Sequence, residues 1–156
     1  MRAIHSFRHW LLPLVSLPLL GCGSRTSDTY VTGIVALDGQ PLPAATVIFE
    51  PLEQGRPATG YTDGSGRFQL VVDHNHTGIP AGKYRVRIRT WEPGFDDGQW
   101  HPDTPERVPT IYNDLSEQTP QMLQEISGKS QSVEFQLTSS AGQIAQRQSP
   151  APAPPH

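Results

Sequence analysis

Few side chains in this 156-residue chain have the types and spacing for chemistry, and they fall in three places. In the first, His74 and His76 stand one residue apart. Alternate side chains of an extended chain point the same way, so two imidazoles could face one metal ion there. Tyr61 precedes the pair and Tyr30 lies further back, while His101 or Asp103 would complete a looser metal group. The lead-in is polar, DHNHTG, and two histidines in such a loop are more often simply solvated. The reading adopted is no metal, no cofactor and no catalytic residue. No serine or cysteine sits in a nucleophile elbow. Asp63-x-Ser65 would open a calcium loop only with an acid or amide where Arg67 stands and a glutamate where His74 stands. Gly128-Lys129-Ser130 lacks the earlier glycine of a phosphate loop, because position 123 is Leu123.

The second place is residues 91–111, WEPGFDDGQWHPDTPERVPTI, a long segment rich in proline, aromatics and acid. Long loops without regular structure are uncommon in compact domains, and they are commonly functional. Trp91, Phe95, Trp100, His101 and Asp103 are the candidate binding residues. Aromatic faces beside carboxylates contact sugars and protein partners, and tryptophan is enriched at interface hot spots. The plainer expectation is that both tryptophans fold back over a sheet edge. The expected partner is an envelope glycan or an envelope protein.

The third place is Cys22, the only cysteine in the chain, so no disulfide can form within one molecule. Ahead of it lie basic Arg2 and Arg8 and a short apolar run, WLLPLVSLPLL. That run is about eleven residues against the ~20 of a membrane span, which suits a cleaved leader. Leu19-Leu20-Gly21-Cys22 resembles the bacterial lipobox. The resemblance implies a diacylated thiol on Cys22, cleavage before it and lipid anchoring at the cell envelope, on the periplasmic or surface face. Several acyl chains, at ~0.8 kcal/mol per buried CH₂, would make such an anchor effectively permanent. Of twelve Lys and Arg, Arg2 and Arg8 lie in the leader, so from Cys22 onward ten cations face fifteen acids, a formal charge of −5. That balance argues against a nucleic-acid partner.

The elements that must position these residues read as strands. Val31, Gly33, Val35 and Leu37 share one face, Asp38-Gly39 supplies the positive φ of a reversal, and Pro41 fixes the exit. Gly33 inside a strand marks a close packing contact or a bulge. Ala45, Val47 and Phe49 alternate again, followed by Ala58 to Thr62 and then Phe68, Leu70 and Val72 beyond a TDGSGRF hairpin. In KYRVRIRT, Tyr84, Val86 and Ile88 face inward. The outward row Lys83, Arg85, Arg87, Arg89 reads as a solvated face balanced by residues such as Glu134. Met122 to Ile126 and Ser132 to Thr138 form a last hairpin about Gly128-Lys129, with Val133, Phe135 and Leu137 inward. Sixteen prolines and fourteen glycines leave little room for long helix. The organisation expected is a leader over 1–21, a lipidated tether over 22–29, a β-sandwich over 30–138 and a disordered Pro/Ala-rich tail over 139–156.

VTGIVALDGQPLPAATVIFEP, TDGSGRFQL and IPAGKYRVRI, in that order, resemble the carboxypeptidase regulatory-like domain, a transthyretin-type or prealbumin-like sandwich. RVPTIYND and VEFQLT extend the resemblance to small bacterial envelope lipoproteins, over about residues 31–138. It implies an all-β, seven-stranded antiparallel Greek-key sandwich and a non-catalytic binding or structural module. The shared motif residues are structural, so no binding site carries over with them. The family's Pro-Gly-x-Tyr becomes Pro80-Ala81-Gly82-Lys83-Tyr84, with the glycine shifted by one. A related sandwich, that of the intradiol ring-cleaving dioxygenases, holds iron with two tyrosines and a His-x-His pair. An enzyme of that kind using His74 and His76 is the alternative, although the chain has no Arg-Pro-x-His lead-in. Some surface sandwiches cross-link a lysine to an asparagine beside a buried carboxylate. Lys83 and Asn113 are the pair to consider here, with no such carboxylate evident from the sequence.

Overall fold

The computed structural model describes residues 28–74, 76–113 and 122–145. The leader, Cys22, most of the tether, Asn75, residues 114–121 and the tail from 146 onward lie outside the described residues. The fold is an all-β sandwich of two sheets. One sheet holds β1 (Tyr30–Leu37), β2 (Gln40–Pro41), β5 (Arg67–Gln69) and β12 (Ser130–Leu137). The other runs in the order β11 (Leu123–Ile126), β8 (Gly82–Arg89), β3 (Thr46–Pro51), β4 (Ala58–Tyr61), β6 (Val71–Asp73) and β7 (His76–Thr77). A third, two-stranded ribbon, β9 (Phe95–Asp96) with β10 (Trp100–His101), stands apart from both.

The period-two alternation places the core where it was expected. Val31 and Val35 of β1, Val47 and Phe49 of β3, Tyr84, Val86 and Ile88 of β8, and Val133, Phe135 and Leu137 of β12 are all buried. Phe135 joins the two layers. Its ring meets Phe49 of the opposite sheet edge-on at 6.2 Å and stacks against Phe68 at 6.3 Å. Pairs of this kind add about 0.5–1.5 kcal/mol beyond the area they bury. Gly33 is a close-packing glycine: a Cβ there would lie 2.5 Å from the Val133 carbonyl oxygen and 2.6 Å from the Phe68 ring. The Asp38-Gly39 reversal has φ of 51° and 77°, the left-handed pair that suits a two-residue hairpin.

Three expectations of connectivity are corrected. The TDGSGRF turn forms, with Asp63 Oδ1 accepting from the Ser65 and Arg67 amides at 2.8 and 3.0 Å. The strands it joins go to different sheets, however, because β5 pairs with β1 while β4 pairs with β3 and β6. The Gly128-Lys129 turn likewise carries the chain from β11, beside β8, to β12, beside β1. In both cases the local turn chemistry bends the chain, and burial of the flanking apolar residues decides which sheet each strand joins. Third, β1 and β12 run parallel, from Tyr30 beside Ser130 to Leu37 beside Leu137. Among the described residues, every other strand pair is antiparallel, as expected.

The crossing from β2 to β3 is pinned by Thr62. Its hydroxyl donates to the Leu42 carbonyl at 2.7 Å and accepts from the Ala45 amide at 2.8 Å. Ala44 is thereby held at a φ of 52°. The domain also extends past the expected tail boundary at 139. Ser139–Ala141 form a 3-10 turn, and the Thr110 amide donates to the Gln143 carbonyl at 2.8 Å.

Candidate functional site

Residues 91–111 are not a structureless loop. They form an irregular hairpin, zipped from its base upward. The base is Glu106, 5% exposed. Its Oε1 accepts from the Thr90 amide and hydroxyl, both at 3.0 Å, and from the Arg107 and Val108 amides, both at 3.1 Å. Its Oε2 accepts from Asn113 Nδ2 at 3.0 Å. Five donors within hydrogen-bond distance of one carboxylate make burial of its charge tolerable. Asn113 comes from a single helical turn, α1 (Thr110–Asn113), which packs against β8.

Above the base, the Glu92 amide donates to Thr104 Oγ1 at 2.7 Å and the Gly94 amide to Asp103 Oδ1 at 2.8 Å. β9 and β10 then pair Phe95 with His101 and Asp96 with Trp100. The tip closes through Gly98, at φ 107°, whose amide donates to Asp96 Oδ1 at 2.9 Å. Phe95 is 58% exposed and its ring stacks on His101 at 4.4 Å with the planes 15° apart. His101 Nε2 lies 3.2 Å from Asp97 Oδ1. Trp100 is 38% exposed, and the pleat sets it on the ribbon face opposite Phe95.

Of the five candidate binding residues, Phe95, Trp100 and His101 gather on the ribbon. Trp91 is half-buried at its base, nearer to the edge-covering expectation. Asp103 braces the hairpin through Gly94. Glu106, read from the sequence as one of several acids of the segment, is its buried foundation. Its only sequence signal was the neighbouring RVPTIYN run, which says nothing of burial.

His74 and His76 are not brought together with Tyr61. His76 Nε2 lies 2.5 Å from Asp28 Oδ2, and His74 is exposed. Tyr61 sits at the far end of β4, since Thr59 is the residue that pairs with Val71. Among the described residues, no group of three or more His, Cys, Asp or Glu side chains is gathered as a metal ion would require. Lys83 and Asn113 also lie apart. Lys83, second residue of β8, stands beside Glu125, whereas Asn113 reaches Glu106 beneath Thr90, roughly seven residues or about 23 Å along the chain. Among the described residues, the cationic row of β8 is ion-paired at two of its four positions. Arg87 pairs with Glu50, Arg89 Nη2 lies 3.4 Å from Glu92 Oε2, and Glu125 faces Lys83. Glu134 is on the other sheet, beside Ile34.

No protein-family model and no curated protein matches the chain. Among solved structures, the crystal structure of a DUF3823 family protein from Parabacteroides merdae is similar, at 16% sequence identity and a TM-score of 0.38. The match covers 71% of this chain and 46% of that one, so this chain spans under half the length of that neighbour.

Proposed function

We propose that the chain is a non-catalytic, lipid-anchored envelope module that binds an envelope glycan through the ribbon Phe95–His101. The observation that carries this reading is the Phe95 ring, 58% exposed and backed by His101 at 4.4 Å. A large apolar face held open in solvent by a stacked neighbour suits the apolar face of a sugar ring. The carboxylates of Asp96 and Asp97 at the tip can accept from sugar hydroxyls, and Trp100 offers a second aromatic face. The ordered segments VTGIVALDGQPLP, TDGSGRF and KYRVRI support placing the module among carboxypeptidase regulatory-like domains. The Leu19–Cys22 box supports the anchor and a periplasmic or surface location.

Retention of the full chain on an envelope polysaccharide fraction tests the reading. Phe95→Ala and Trp100→Ala should each lower retention at least fivefold, with retention by the parent chain unchanged after protease treatment of the fraction. Loss on protease treatment would make the partner a protein, and unchanged retention by both variants would end the claim for this ribbon. Cys22→Ala should yield a full-length chain without acyl mass. A parent chain carrying no acyl group on Cys22 would remove the anchor.

A further inference from the structure

A second site lies where the chain enters the sandwich, remote in sequence from the ribbon. The β3–β4 loop, the β6–β7 turn and the segment leading into β8 enclose a pocket of about 340 Å³. That is within the ~300–1,000 Å³ of small-molecule sites. Pro51, Val72, Pro80 and Tyr84 supply apolar lining. Tyr84 is 3% exposed, and its hydroxyl donates to the Pro80 carbonyl at 2.8 Å. Burial first, and the nearby charge of Asp28 second, push the Tyr84 hydroxyl's pKa up. The field of the Asp28 carboxylate therefore reaches a poorly solvated floor.

The charged residues around this floor are of both signs. Asp28 is committed to His76 at 2.5 Å, and Arg56 and Asp73 stand 3.9 Å apart. Glu53 and Lys83 line the same pocket, and among the described residues neither is ion-paired. A purely anionic ligand would meet Glu53 and Asp73, and a purely cationic one would meet Arg56 and Lys83. A ligand carrying both charges satisfies both free groups at once.

We infer that this pocket binds a small zwitterion, with a primary ammonium toward Glu53 and a carboxylate or phosphate toward Lys83 and Arg56. Two sources share that chemistry: a free amino acid, and the ethanolamine phosphate headgroup of a lipid. The headgroup source rests on the anchor proposed above. Asp28 follows Cys22 by six residues, at most ~21 Å of extended chain, so an acylated Cys22 holds the pocket close to the bilayer.

Calorimetric titration of the full chain in non-ionic detergent tests this, with L-alanine, O-phosphoethanolamine, phosphocholine, ethanolamine and inorganic phosphate as probes. At least one of the two primary-amine zwitterions should bind tenfold tighter than phosphocholine, whose nitrogen has no hydrogen to donate, and than either half-ligand. The tighter of the two identifies the source. Glu53→Gln and Lys83→Gln should each weaken it at least fivefold without moving the melting temperature, since both side chains are exposed. Trp100→Ala should leave this binding intact, which separates failure here from failure of the ribbon. Absence of binding by both zwitterions at millimolar concentration, equal binding of phosphocholine, or unchanged affinity in both variants overturns the proposal.

Discussion

Asn113 Nδ2 donates to Glu106 Oε2 at 3.0 Å, and both residues are buried beneath the end of β8. This one contact ties the helical turn after the hairpin to the carboxylate that holds the hairpin's base. The aromatic ribbon above it is therefore carried on a rigid footing.

Removing that footing should be costly. Glu106→Ala leaves the Thr90 and Val108 amides dry and unpaired, and we expect a loss of about 3 kcal/mol or more, at ~1–3 kcal/mol per orphaned buried group. Glu106→Gln keeps an acceptor and should lose less. Urea unfolding of the two variants beside the parent checks the order; equal losses would show that the acceptor count is not what matters.

Gly33→Ala should destabilise by roughly 1–3 kcal/mol, the usual range for overpacking a core. The added methyl meets the Val133 carbonyl at 2.5 Å, and backbone cannot step aside as a flexible side chain would. A neutral result in thermal unfolding would mean that β1 and β12 are further apart than described.

The two kinds of phenylalanine should separate. Phe135→Ala removes the ring that joins the sheets and should cost ~3–5 kcal/mol. Phe95→Ala removes a ring that is 58% exposed and should change stability by no more than about 0.5 kcal/mol. If Phe95→Ala unfolds the domain as Phe135→Ala does, the ribbon is part of the core.

Acid should weaken the fold through two turn carboxylates. The Ser65 hydroxyl, then the Arg67 and Ser65 amides, hold the Asp63 pKa below its ordinary value. The Ser139 side chain, then its amide, do the same for Asp38. A carboxylate depressed in the folded state stabilises it above the unfolded pKa, and that stability is lost as pH falls through the folded value, here below about pH 4. Melting temperatures between neutral pH and pH 2.5 should drop less in Asp38→Asn/Asp63→Asn than in the parent. Parallel curves would remove this linkage.

The core was legible in the sequence because alternation is a local property. Val31, Val35, Val47, Phe49, Val86, Ile88 and Phe135 each sit two residues from another inward side chain. Which strands pair was not legible: Asp63-Gly-Ser-Gly66 and Gly128-Lys129 announce a bend equally well whether the flanking strands share a sheet or not. The sequence set the aromatics of the hairpin among acids but left their exposure open, and the buried state of Glu106 could not be read, because its donors lie up to sixteen residues away. The charged pocket was the least legible. Its walls come from stretches around residues 28, 53, 73 and 83, far apart in sequence, and the Pro80–Tyr84 motif among them signals a turn and a strand, not a pocket.

The parallel pairing of β1 with β12 sets a schedule for folding. One hundred positions separate Tyr30 from Ser130, and every pair in that register is equally remote. Contacts so distant in sequence form late, since the loop must close before they yield anything. Until the last strand is synthesised, one edge of β1 stays open, with Val31 and Val35 beside it. Open, apolar strand edges template other chains. A copy cut short anywhere before Ser130 therefore carries a sticky edge, which only the arrival of its own C-terminal strand removes.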